Sequence, residues 1–76
     1  MNISTFVTLI SEQFDDTDPS IFTENTEFKT LDDYSSLTAL NIISAIDDEF
    51  DVILKGEDIK KANTIKDLFE ILVSKQ

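Results

Sequence analysis

Apolar residues return at helical spacing in three stretches of the chain. Ile3, Phe6, Val7, Ile10 and Phe14 make the first, with Asn2 or Ser4 placed to cap it and Glu12 and Gln13 on another face. The acidic run Asp15-Asp16-Thr17-Asp18 and then Pro19 end it, because Asp and Thr favour turns and the residue before a proline is driven out of helical geometry. The second stretch has the clearest pattern. Leu37, Leu40, Ile43 and Ile46 or Phe50 form an apolar stripe that Ala39 and Ile42 broaden, and Ala45 permits close approach. The third opens on Thr64, with Asp67 three residues on as a capping box, and is expected to bury Ile65, Leu68, Phe69, Leu72 and Val73; Lys75 stands favourably near its C-terminus.

The connections are less regular. Residues 18–35 hold Ile21, Phe22, Phe28, Leu31 and Tyr34 without a sustained period, and a loop of that length in a compact domain is functional or tied down. Phe22, Phe28 and Leu31 are its anchors, with a short helical turn expected near residues 20–24. Val52-Ile53-Leu54 has no second run to pair with and reads as an extended connection. After the single glycine, Gly56, residues 57–61 suit a short helix. The expected fold is an all-α, antiparallel bundle of three main helices and one short one, with a long first loop lying across it. It forms a single domain over residues 1–76, expected to be freestanding because the chain starts at Met1 and ends shortly after Val73.

Composition narrows the chemistry. A 76-residue chain buries a small core, and without cysteine it has neither a disulfide nor a thiolate zinc site, so helix packing with six phenylalanines must hold it. Sixteen acidic residues against six basic ones give a net charge of −10, which repels nucleic-acid phosphates and anionic lipid surfaces and favours basic partners. No apolar run approaches the roughly 20 residues of a membrane span, and no signal peptide marks the N-terminus. A cytoplasmic monomer is expected.

Histidine is absent along with cysteine, so the commonest general base and the strongest nucleophile are both missing, and the chain is not expected to be an enzyme. Ser35 and Ser36 have no activating partner in sequence; Asp32 and Asp33 are weak bases for a hydroxyl. The clusters at residues 15–18 and 47–51 offer carboxylates, but neither has the glycine and closing glutamate of an EF-hand loop, and no metal site is assigned. What remains is Ser36-Leu37 at the start of the second helix. There a serine hydroxyl projects into solvent at the positive end of the dipole, where backbone N–H groups favour a covalently attached phosphate.

The second helix and its approaches, YSSLTALNIISAIDDEFDV over residues 34–52, resemble the prosthetic-group attachment region of the acyl carrier proteins. Ser36-Leu37 stands at the attachment position; Leu40, Ile43 and Ile46 match the aliphatic face, and Asp47-Asp48-Glu49-Phe50 the acidic end, without a gap. Residues 26–33 resemble the loop leading to that serine, and Asn63-Thr64-Ile65-Lys66-Asp67-Leu68 the start of the last helix. Ser35 replaces the family's usual aspartate, Asn41 a frequent glutamate, and the loop before the serine has no glycine.

The resemblance implies a non-catalytic carrier. A separate phosphopantetheinyl transferase would move 4′-phosphopantetheine from coenzyme A to Ser36, with Ser35 the lesser candidate, and the arm's thiol would hold acyl intermediates as thioesters in fatty-acid, polyketide or related specialised biosynthesis. Leu37, Asn41, Asp47, Asp48 and Glu49 would form the docking face for partner enzymes with basic patches. Leu37, apolar and beside the attachment point, is the sharpest of these as an exposed anchor. An aminoacyl or peptidyl carrier of a nonribosomal or cell-envelope pathway fits the same architecture, and an acidic helical adaptor without a prosthetic group is the alternative from a different class. Periodicity does not single out which of Phe28, Leu40, Ile43, Ile46, Leu54, Ile59 and Ile65 would line a space for cargo.

Overall fold

A computed structural model describes residues 2–76 and contains four α-helices and no strand among them: α1 (Ile3–Ser11), α2 (Ser36–Phe50), α3 (Gly56–Lys61) and α4 (Ile65–Ser74). Single 3-10 turns at Pro19–Ile21 and Phe28–Thr30 punctuate the long first loop. The all-α expectation of three main helices and one short one holds. So does the extended connection at Val52-Ile53-Leu54, where Val52 and Leu54 turn inward and Ile53 outward.

Helix α1 starts on Asn2, whose side-chain carbonyl accepts from the Thr5 N–H at 2.9 Å. It ends at Ser11, three residues before the last apolar position of its stripe. Tight bonds from the Gln13 N–H to Ile10 O and from the Phe14 N–H to Ser11 O carry the chain on, so Phe14 still enters the core, but from a turn. There its ring lies 5.2 Å from that of Phe22. The loop is anchored as expected by Phe22 and Phe28, with Leu31 packed against the core from its edge.

Helix α4 takes its entry from side chain and loop together. Thr64 Oγ1 accepts from the Asp67 N–H at 3.1 Å, and Asp67 Oδ2 accepts from the Thr64 N–H at 3.1 Å and the Asn63 N–H at 3.0 Å. The two remaining first-turn donors, the N–H groups of Ile65 and Lys66, go to the loop carbonyls of Thr26 and Glu24 at 3.1 and 2.8 Å. The loop thereby satisfies donors that a helix start otherwise leaves unpaired.

One core joins the elements. Phe6 of α1, fully buried, has its ring centroid 5.3 Å from Phe69 of α4 and 6.1 Å from Phe50 of α2. Ile42, Ile46, Leu54, Ile65, Leu68 and Leu72 complete the buried centre. Two expectations fail at its margin. Val73 is 48% exposed, because Leu72 takes the inward position and Ile71 packs at the edge in its place. Helix α2 is also turned relative to its expected stripe: Thr38, Ile42 and Ile46 are buried, whereas Leu37 and Leu40 are 65% and 62% exposed. The inward face steps by four residues from a threonine, and a threonine methyl tolerates burial when its hydroxyl is hydrogen-bonded, as it is here.

Helix α3, only six residues long, is held at both ends. Buried Asp58 accepts from the Lys55 N–H at 2.8 Å and pairs with Lys75 at 3.3 Å, tying α3 to the end of α4. At the other end the Lys29 ammonium donates to the carbonyls of Ile59 and Lys60 at 2.9 and 3.0 Å.

Candidate functional site

The start of α2 separates its two serines by role. Ser35, in extended geometry, is the cap: the Thr38 N–H donates to Ser35 Oγ at 3.3 Å and the Ser35 N–H donates to Thr38 Oγ1 at 3.1 Å. Ser36 is the first helical residue. Its hydroxyl is exposed and has no hydrogen-bond partner among the described residues, and the N–H groups of Ser36 and Leu37 are likewise unpaired there. A group esterified to Ser36 therefore meets two open backbone donors at the positive end of a 15-residue helix, with no acidic side chain in its first turn. That donor set suits a phosphate.

Carboxylates close by in sequence do not spoil it. Asp33 turns its side chain away, accepting from the Asp16 N–H and the Thr17 hydroxyl, and the Thr17 bond holds its carboxyl below the usual aspartate range. Tyr34 packs edge-on against Phe28 at 6.0 Å, and burial pushes its phenol upward.

A groove of about 390 Å³ opens beside Ser36, lined by Tyr34, Ala39, Leu40, Ile43, Gly56, Ile59 and Lys60. Its walls are α2 and α3, and its lining is apolar apart from the serine, the phenol and the lysine. Of the residues that periodicity left undecided, Leu40, Ile43 and Ile59 line it, Ile59 from within the core, to which Phe28, Ile46, Leu54 and Ile65 also belong.

At about 100° per residue, Ser36, Leu37, Leu40, Asn41, Ser44, Asp47 and Asp48 share the outward face of α2, and all are exposed. Asp47 lies about 16 Å along the axis from Ser36. Glu49 points elsewhere, lining a depression with Thr5, Thr8, Leu9 and Glu12 of and after α1. Leu40, assigned from sequence to the core stripe, thus belongs to both the outward face and the groove. The inward face that displaces it starts on Thr38, which a hydrophobic pattern counts as polar, so the sequence carried no signal for it. Ile53, 69% exposed after the helix, had no periodic signal to mark it.

Helix α2 stops at Asp51, which adopts the left-handed conformation (φ 57°, ψ 39°) while its N–H donates to Asp47 O at 2.9 Å. Among the described residues, no three carboxylates gather into a metal-ligating group, and no helix is long and apolar enough to cross a membrane.

No curated protein and no solved structure matches the chain. A family model described as a phosphopantetheine attachment site matches residues 4–72, a span that includes the whole of α2 and α3 and nearly all of α1 and α4. The chain therefore belongs to the phosphopantetheine-attachment family and is a carrier domain that bears 4′-phosphopantetheine covalently.

Proposed function

We propose that Ser36 receives the phosphopantetheine and that the chain carries acyl rather than aminoacyl cargo. The observation that supports the site is the division of labour at the start of α2: Ser35 is engaged in the cap, and Ser36 presents a free hydroxyl beside two unpaired N–H donors. A phosphopantetheinyl transferase must do the chemistry, because the chain has no histidine to activate the serine. In that step Ser36 Oγ attacks the pantetheine-side phosphorus of coenzyme A, the bond to adenosine 3′,5′-bisphosphate breaks, and the hydroxyl proton leaves to a base of the transferase. When bound, the group supplies a terminal thiol for cargo.

Acyl cargo is supported by the groove next to Ser36, whose aliphatic walls Leu40, Ile43 and Ile59 suit an apolar chain and would leave a charged aminoacyl group unpaired. Fatty-acid, polyketide or related specialised biosynthesis uses such cargo. Docking is assigned to the outward face of α2: Leu37 and Leu40 as apolar anchors beside Ser36, with Asn41, Asp47 and Asp48 further along, while Glu49, turned toward α1, lies off that face.

The test is an intact-mass measurement after incubation with coenzyme A, magnesium and a broad-specificity transferase. The wild type and Ser35→Ala should each gain one phosphopantetheine group and Ser36→Ala none; a gain by Ser36→Ala overturns the site. For cargo, an octanoyl-loaded chain should melt higher than an acetyl-loaded one, whereas equal midpoints, or a rise with a charged aminoacyl group, would favour the aminoacyl reading.

A further inference from the structure

We propose that Asp33 is a positioning residue for the loading of Ser36, acting through the turn that follows α1; the proposal rests on Ser36 as the attachment site. Asp33 lies in the turn of residues 31–34, which closes through the Tyr34 N–H donating to Leu31 O at 3.0 Å. Its carboxylate reaches back 17 residues to the Asp16 N–H, which donates to Oδ2 at 3.0 Å, and 16 residues to the Thr17 hydroxyl, which donates to Oδ1. Its carbonyl accepts from Thr38 Oγ1 at 3.2 Å, the same hydroxyl that accepts the Ser35 N–H.

A single residue thus grips the turn after α1 with its side chain and the cap of α2 with its backbone. These contacts do different things. Helix α2 keeps its start without the carboxylate, because the Ser35 and Thr38 bonds and the burial of Ile42 and Ile46 are independent of it. The carboxylate instead fixes where that start sits relative to the rest of the domain. Its neighbour Asp32 is exposed and makes no hydrogen bond among the described residues.

A transferase that docks on α2 still finds Leu37, Asn41, Asp47 and Asp48 when the Asp33 carboxylate is gone, so binding persists. The serine hydroxyl is then less well aligned with the phosphorus it must attack, and alignment of the reacting atoms is worth large factors in rate. The loss falls on kcat and spares KM.

Steady-state loading with coenzyme A, magnesium and one transferase, followed by intact mass, reads this. Asp33→Ala should lose on the order of tenfold in kcat with KM within about twofold. Thr17→Val, which removes a donor far from the serine in sequence, should reproduce part of the loss, Asp33→Asn should recover part of it, and Asp32→Ala should match wild type. Amide hydrogen exchange on the unmodified chain gives a readout that does not depend on where the group attaches: Asp16, whose N–H loses its acceptor, should exchange faster in Asp33→Ala, with Leu68 and Leu72 of α4 unchanged. Wild-type kcat in Asp33→Ala overturns the proposal. So does a full loss in Asp33→Ala with none in Thr17→Val, which would mean that the carboxylate acts on the transferase directly. Modification persisting in Ser36→Ala would instead overturn the attachment site and leave the exchange result standing.

Discussion

Adjacent serines with different duties show how much one residue of offset matters. Ser35 spends its oxygen on the Thr38 N–H, so Ser35→Ala should cost about 1 kcal/mol in a urea titration, the usual loss of an N-cap, while Ser36→Ala should be close to neutral for stability. Asp51 is the other residue with a conformational duty. A left-handed backbone strains any side chain bearing a Cβ and aspartate less than most, so Asp51→Gly should stabilise by about 0.5–1 kcal/mol and Asp51→Val should destabilise. Asp51→Asn should give a smaller gain that shrinks with added salt, because it removes negative charge from the negative end of α2.

Among the elements, α4 shows what local sequence can reveal and α2 what it cannot. Thr64 and Asp67 are three residues apart and their reciprocal bonds are nearest-neighbour chemistry, so the capping box could be read directly from the chain. Those bonds to the N–H groups of Thr64 and Asn63 hold the Asp67 carboxyl below its usual range, as the Lys55 N–H does for Asp58 and the Ser20 N–H for Asp18. A carboxyl lowered in the folded state stabilises at neutral pH. That contribution is lost as pH falls below the ordinary aspartate value and through the folded one, so thermal midpoints should drop below about pH 4, and less steeply in Asp67→Asn. Helix α2, by contrast, has apolar residues nearly all round, so its period admits two orientations, and the deciding residue, Thr38, counts as polar in any pattern. The Asp33 bonds were invisible for a different reason: they join positions 16 and 17 residues apart, and no local rule pairs them. That Ser36, Leu37, Asp47 and Asp48 lie exposed along α2 was legible because a single uninterrupted helix carries them in order.

At the scale of the whole molecule, a small core meets a large charge. Stability for 76 residues is about 4–11 kcal/mol at ordinary values, so Ile46→Ala, at about 2–5 kcal/mol, should remove a large fraction of it and lower the denaturation midpoint accordingly. A net charge of −10 adds self-repulsion throughout, and moderate salt should raise the melting temperature of the unmodified chain while weakening the docking proposed for its acidic face. These opposite responses to one variable distinguish folding from docking. Lys29, finally, holds α3, one wall of the groove, at its C-terminal end. Six residues are too few to persist as a helix unaided, and besides the burial of Ile59 and Ala62 the ammonium on the Ile59 and Lys60 carbonyls is one of two polar side-chain ties that hold it to its neighbours. Cutting that tie with Lys29→Met should let Ile59, Lys60 and Ala62 exchange their amide protons ahead of α2 and α4, so that one wall of the groove loosens by local unfolding of a single short helix while the rest of the domain stays intact.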